Sequence, residues 1–175
     1  LDHTLTHNSS TNKSNFVFGI HSFYYRLHPP STIWKVPVVN FESSLARWIR
    51  IPVTSSDEAA KLVIPIWEDI DYRETFAVLL LSRSNTVLGL SKIGTGGISG
   101  VSVDVKLIFQ AALLASSSSL IAIHTHPSNN LTASNADIKI TNKIKAAGVL
   151  LDIQLMDHII ISSNGYLSMA DEGFI

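Results

Sequence analysis

Apolar and polar positions along the chain sort into short segments of different period, and each period implies an element. "TFAVLLLS" (75–82) is a continuous apolar run, "TVLGLSKI" (86–93) is a second strand candidate, and "RSN" (83–85) between them is turn chemistry. The pair reads as a β-hairpin. "DVKLIFQAALLA" (104–115) carries apolar residues most of the way round a helical wheel, which predicts a largely buried helix. "SLIAIHTH" (119–126) reads as a buried strand. "SNADIKITNKIKAAG" (134–148) places Ile140, Ile144 and Ala147 at i, i+4 and i+7, a helix with Gly148 at its end. "LLDIQLMDHIIIS" and "GYLSMA" flank Asn164-Gly165, a second hairpin signal. Upstream, "TSSDEAAKLV" offers Ser55 and Glu58 as a capping box opening a helix that Pro65 kinks or ends.

The order is therefore helix, hairpin, helix, strand, helix, hairpin. That order predicts an α/β fold, a mixed β-sheet flanked by helices. Residues 1–45 break the pattern: "HNSSTNKSN" is loop-like, and the aromatic stretch after it is interrupted by Pro29, Pro30 and Pro37. They read as a poorly ordered leader to a domain of residues 46–175. A partner-docking arm is the sharper reading of the same aromatics. The chain begins at Leu1, as a fragment or an upstream extension read as coding sequence would.

Composition narrows the chemistry. A chain of 175 residues, 46% apolar and 15% charged, builds one domain with a proper core. Formal net charge is −1 and no run of lysine or arginine stands out, which argues against a nucleic-acid surface. There is no cysteine, so disulfides, thiolate metal sites and cysteine nucleophiles are all excluded. No apolar run reaches the ~20 residues of a membrane helix. "FVFGIHSFYYRL" is broken by His21 and Arg26 as a signal peptide. The expectation is a cytoplasmic protein with no membrane partner; no oligomeric state is inferred.

The polar residues of "IAIHTHPSNNLTASNADIKI" (121–140) carry the candidate chemistry. His124 and His126 point to one side of a strand and Thr125 to the other. Ser134 and Asp137 lie three apart on one face of the following helix. Two imidazoles and one carboxylate leave the fourth position of a tetrahedral zinc open for water, as in catalytic sites. Ser134-x-x-Asp137 is equally a capping box in its own right. Each half alone is weak; the spacing of both together is specific.

That spacing, His124-x-His126-x7-Ser134-x-x-Asp137, resembles in full the signature of JAMM (MPN+/JAB) metalloproteases. More narrowly, about residues 53–175 resemble the bacterial RadC-like JAB domain, in the short form without a helix-hairpin-helix module. The resemblance implies a JAB/MPN architecture, related to that of cytidine deaminases. It implies zinc held by His124, His126 and Asp137, and an oxyanion supported by Ser134. It further implies a general-base glutamate, which falls on Glu74 in "YRETFAVLLL", with Glu68 in reserve. In such a site zinc lowers the pKa of water to about 7 and polarises the scissile carbonyl, while a carboxylate moves the proton. Asp157 and His158 match the family's "DH" pair, either as hydrogen-bonding support for the ligands or as a structural pair.

The chain departs from the family's H-N-H-P-S-G loop at Thr125 and Asn129. Asn129 adopts a left-handed conformation less freely than glycine, so the loop and substrate access are more exposed to change than metal binding. The leading expectation is a zinc-dependent hydrolase of amide bonds acting on a peptide or protein substrate. Alternatives are a metal-dependent DNA-processing or DNA-repair factor, with a nucleic-acid partner, and a non-catalytic MPN-type binding module. A zinc nucleoside deaminase would need H-x-E…C-x-x-C and is excluded by the lack of cysteine.

Overall fold

Five strands make one mixed sheet in this computed structural model, which describes residues 51–97 and 100–175. The leader expected at residues 1–45 lies outside the described residues. The strands are β1 (Thr75–Leu81), β2 (Val87–Thr95), β3 (Ser119–Thr125), β4 (Gln154–Ser162) and β5 (Gly165–Ser168), in the spatial order β2-β1-β3-β4-β5. Helices α1 (Ser56–Val63), α2 (Val105–Leu114) and α3 (Asn135–Leu151) connect and cover them. Only β3 and β4 run parallel, and α3 is the crossover between them. The architecture is the α/β arrangement that the element order predicts.

The continuous apolar runs of β1 and β3 follow from burial on both faces. On one face Phe76, Val78, Leu80, Leu120 and Ala122 pack under Ile108 and Phe109 of α2 and Ile144 of α3. On the other, Leu79, Leu81, Ile121, Ile123, Ile159 and Ile161 pack against Ala59 and Val63 of α1. At one end of the sheet the C-terminal end of β3 approaches the first turn of α3. Polar residues gather there.

Three local expectations are corrected. The carboxylate of Glu58 turns chiefly to Thr54, accepting from its backbone N–H at 2.7 Å and its hydroxyl at 2.9 Å, so the reciprocal half of the Ser55–Glu58 box is taken over by the preceding residue. Ser55 does cap the helix, accepting from Glu58 N–H at 3.2 Å. Gly148 does not end α3, which continues to Leu151 and closes on Asp152 in the left-handed region (φ 53°). Gly148 is instead required by packing, because a Cβ there would overlap the carbonyl of Ile153. Helix α2 is buried on one side only: Leu107, Leu113 and Leu114 face solvent, because the described residues cover just its inner face. A feature with no counterpart in the sequence reading is an irregularity in the pairing of β4 with β3, between the pairs Leu120↔Leu155 and Ile121↔Asp157. That one-residue shift reverses which side chains face which side of the sheet.

Candidate metal centre

His124 is buried one residue before β3 ends at Thr125, and His126 is the first residue past the strand. The strand alternation puts both rings on the face covered by α3. The ring nitrogens and the Asp137 carboxylate meet there: one ligand atom from each of His124, His126 and Asp137 lies within 4.8 Å of the others. His124 Nε2 is 2.8 Å from His126 Nε2 and 3.2 Å from Asp137 Oδ1, and His126 Nε2 is 3.6 Å from Asp137 Oδ2. Tetrahedral zinc with bonds near 2.0–2.1 Å places neighbouring ligand atoms about 3.3 Å apart. The donor set and its spacing fit that ion.

Helix capping and this cluster share one carboxylate. Ser134 Oγ accepts from Asp137 N–H at 3.2 Å, and Asp137 Oδ2 accepts from Ser134 N–H at 2.7 Å, a complete capping box. Oδ1 is left facing His124. The capping reading of Ser134-x-x-Asp137 is thus realised, and the carboxylate still faces both imidazoles. Burial opposes ionisation of Asp137, yet hydrogen bonds from His124 and His126 outweigh it and hold the carboxyl well below the ordinary range. Asp137 reciprocally raises the His126 pKa, against partial burial.

Each ring is gripped from behind. His126 Nδ1–H donates to the carbonyl of Asn130 at 2.6 Å, across the loop that follows Pro127. Asn129 does adopt the left-handed conformation (φ 60°), and its side-chain carbonyl accepts from the Ser163 hydroxyl at 2.8 Å. His124 Nδ1 lies 2.9 Å from His158 Nε2, and His158 Nδ1 lies 2.6 Å from Thr141 Oγ1. Burial, with the nearby His124 ring, holds His158 well below its ordinary pKa. Phe76 packs against both, stacked on His124 at 6.1 Å and edge-on to His158 at 5.4 Å between centroids.

The Asp157–His158 pair divides. His158 reaches the cluster, whereas Asp157 pairs across from Ile121 on the other face, where it accepts from Ser168, Ala170 N–H and His158 N–H. Burial raises the Asp157 carboxyl above the ordinary range. Its place is in the β4–β5 packing, away from the ligands.

Glu74 sits immediately before β1, with its N–H donating to Gly97 and its carbonyl accepting from Gly96. It lines the same cavity of about 330 Å³ as His124, His126, Ser134 and Asp137. Glu68 is exposed in the preceding turn and does not line it. The rim includes Gly100 and Val101 on one side and Ser128, Asn130 and Thr132 on the other. Sequence reasoning missed two hydroxyls. Thr141 carries no signal in a helical pattern. Thr125, taken only to face away from the metal, donates to Arg73 O and accepts from Thr75 N–H, both at 2.9 Å, so it brackets the backbone of Glu74.

Comparison with known sequences bears on this geometry. The family described as "RadC-like JAB domain" matches residues 53–174. A UPF0758 protein of Flavobacterium johnsoniae is 43% identical over 121 residues, covering 69% of this chain and 52% of that one. UPF0758 proteins of Staphylococcus haemolyticus and Porphyromonas gingivalis are each 36% identical, covering 71% and 72% of this chain and 54% and 56% of theirs. The chain spans about half the length of the curated relatives it matches. Among the described residues no helix is long and apolar enough to cross a membrane.

Proposed function

The chain belongs to the RadC-like JAB domain family, and from that premise we propose that it is a zinc-dependent hydrolase of amide bonds, peptide or isopeptide. The observation that carries the reading is the meeting of His124, His126 and Asp137 within 4.8 Å of one another, at a cavity that Glu74 and Ser134 also line. His124 Nε2, His126 Nε2 and Asp137 Oδ1 would hold the ion. Zinc bound there supplies Lewis acidity, making water a nucleophile near neutral pH and polarising a carbonyl.

The protein's own groups handle orientation and protons. Glu74 takes a proton from the water as its oxygen bonds to the carbonyl carbon, and then delivers that proton to the amine nitrogen as the C–N bond breaks. Its backbone is tied on both sides, to Gly96 and Gly97 and through Thr125 to Arg73 and Thr75, which fixes the point from which the side chain reaches the cavity it lines. Ser134 uses its oxygen as a cap acceptor and retains its proton to donate to the developing oxyanion. Phe76, buried beside the ligands, lowers the local dielectric and strengthens these interactions. The near-neutral charge and the lack of any lysine–arginine run in this sequence give the DNA-processing alternative no observation of its own.

The test pairs metal analysis with an activity assay. Purified protein should take up one zinc per chain. Glu74→Gln should retain it while losing roughly 10²–10⁴-fold of the hydrolysis of peptide and isopeptide substrates. A Glu74→Gln variant as active as the parent would remove Glu74 from the reaction. Zinc loading with no amide hydrolysis across such a panel would remove the hydrolase reading.

A further inference from the structure

We propose that Thr141 and His158 are positioning residues of the metal centre, forming a one-directional hydrogen-bond chain from the ring of His124 to the backbone of Asp137 that presents the Nε2 lone pair of His124 to the ion. The inference rests on the metal-centre part of the proposed function and adds to it Thr141, the direction of the hydrogen bonds and the role of His158 within them.

The direction of the chain follows from proton counting. Thr141 lies one helical turn after Asp137 on α3, and its hydroxyl donates to the Asp137 carbonyl at 2.6 Å, the usual back-bond of a helical threonine. That spends its only proton on the carbonyl, which has none to offer in return. Thr141 Oγ1 can then only accept from His158 Nδ1, 2.6 Å away. A neutral imidazole with hydrogen on Nδ1 is an acceptor at Nε2. His158 Nε2 therefore accepts from His124 Nδ1 at 2.9 Å. With its single proton on Nδ1, a neutral His124, the form that can bind a metal, has a bare Nε2, the atom that faces Asp137 Oδ1 and His126 Nε2.

Burial enforces this order. Thr141, His158 and His124 are 1%, 0% and 2% exposed, so no solvent stands in for a misplaced proton, and a mismatch anywhere leaves a buried group unpaired. The chain also links two ligands from two elements, β3 and α3, through a third, β4. It can do so only because the β4 irregularity turns His158 toward this face, opposite Ala122, while Asp157 turns away opposite Ile121. His126 gains the same tautomer from the Asn130 carbonyl, but by way of a surface loop. The buried chain is the rigid half of the centre.

Chelator competition for zinc tests this on the whole protein, with circular dichroism as the check on folding. Thr141→Val and His158→Gln should each weaken zinc about 10–100-fold, whereas Thr141→Ser, which keeps the hydroxyl, should stay near the parent. Equal zinc affinity in parent and Thr141→Val would overturn the chain and leave the metal centre standing. A Thr141→Ser loss as large as that of valine would reduce Thr141 to packing. Failure of the parent itself to take up zinc would overturn the metal centre, and the chain with it. Should the variants not fold, ¹⁵N imidazole spectra of the parent decide: hydrogen on His158 Nδ1 supports the chain, and hydrogen on His158 Nε2 reverses it and ends the proposal.

Discussion

Two helices in this protein open with the same local code, a serine followed three residues later by an acid. At α1, Ser55 caps the helix and Glu58 lies exposed, its carboxylate turned to Thr54. At α3, Ser134 caps the helix and Asp137 is 9% exposed, with one oxygen on the Ser134 N–H and the other facing His124. Propensity treats the two alike. The difference is what stands opposite: solvent at α1, the end of β3 with its two imidazoles at α3. The side chains differ accordingly. Aspartate is short enough to cap and still project its second oxygen forward.

The comparison can be broken most decisively at the acids. Asp137→Ala should abolish zinc uptake by elemental analysis, while Glu58→Ala should leave it at one per chain. Chelation should lower the melting temperature of the parent and of Glu58→Ala but not of Asp137→Ala, since a ligand stabilises only what it binds. Loss of zinc in both, or in neither, would erase the distinction between the helices.

The serines sharpen it next. Ser55→Ala should cost about 1 kcal/mol by denaturant unfolding, the ordinary value of a cap, with hydrolysis unaffected. Ser134→Ala should cost a comparable amount and also lower kcat with zinc retained, because its hydroxyl proton serves the oxyanion. A Ser134→Ala enzyme with the parental rate would return Ser134 to a cap alone.

A smaller effect is expected in pH. Without metal, the raised pKa of His126 contributes stability that is complete below its ordinary value of 6.5 and is lost as pH rises through the folded value. The lowered pKa of Asp137 contributes stability present above 3.8 and lost as pH falls below it. Zinc needs the imidazoles unprotonated. The zinc-induced rise in melting temperature should therefore be larger at pH 8 than at pH 6, and an equal rise at both would contradict the ion pair. Glu58→Gln is the smallest change, leaving both melting temperature and zinc content at parental values, since its exposed carboxylate turns chiefly to Thr54.

Much of this was legible in the chain. The apolar runs of β1 and β3 and the period of α3 emerge where expected, and the closing hairpin forms with its turn at Ser163-Asn164, one residue before the Asn164-Gly165 signal, because side-chain alternation and turn chemistry are local properties. The spacing from His124 to Asp137 was legible for the same reason: a strand end, a short loop and a first helical turn leave little freedom in between. Asn129 belongs here too. A residue that tolerates positive φ stands where the loop takes φ 60°, and only the Ser163 contact needed the fold.

What the sequence by itself determined, then, is the element order and the three residues His124, His126 and Asp137 as a set on one strand end and one helix start. Tertiary structure decided everything that depends on register between segments far apart in the chain. The irregularity in β4 separates His158 from Asp157 and sends them to opposite faces. Thr141, one of several polar positions on α3, becomes the link between a ring and a carbonyl. Thr125, turned away from the ligands, becomes the clamp on the backbone around Glu74. Composition and periodicity record which face a residue prefers. They do not record which partner is brought against that face, because that partner is set by strand pairing summed over the whole sheet.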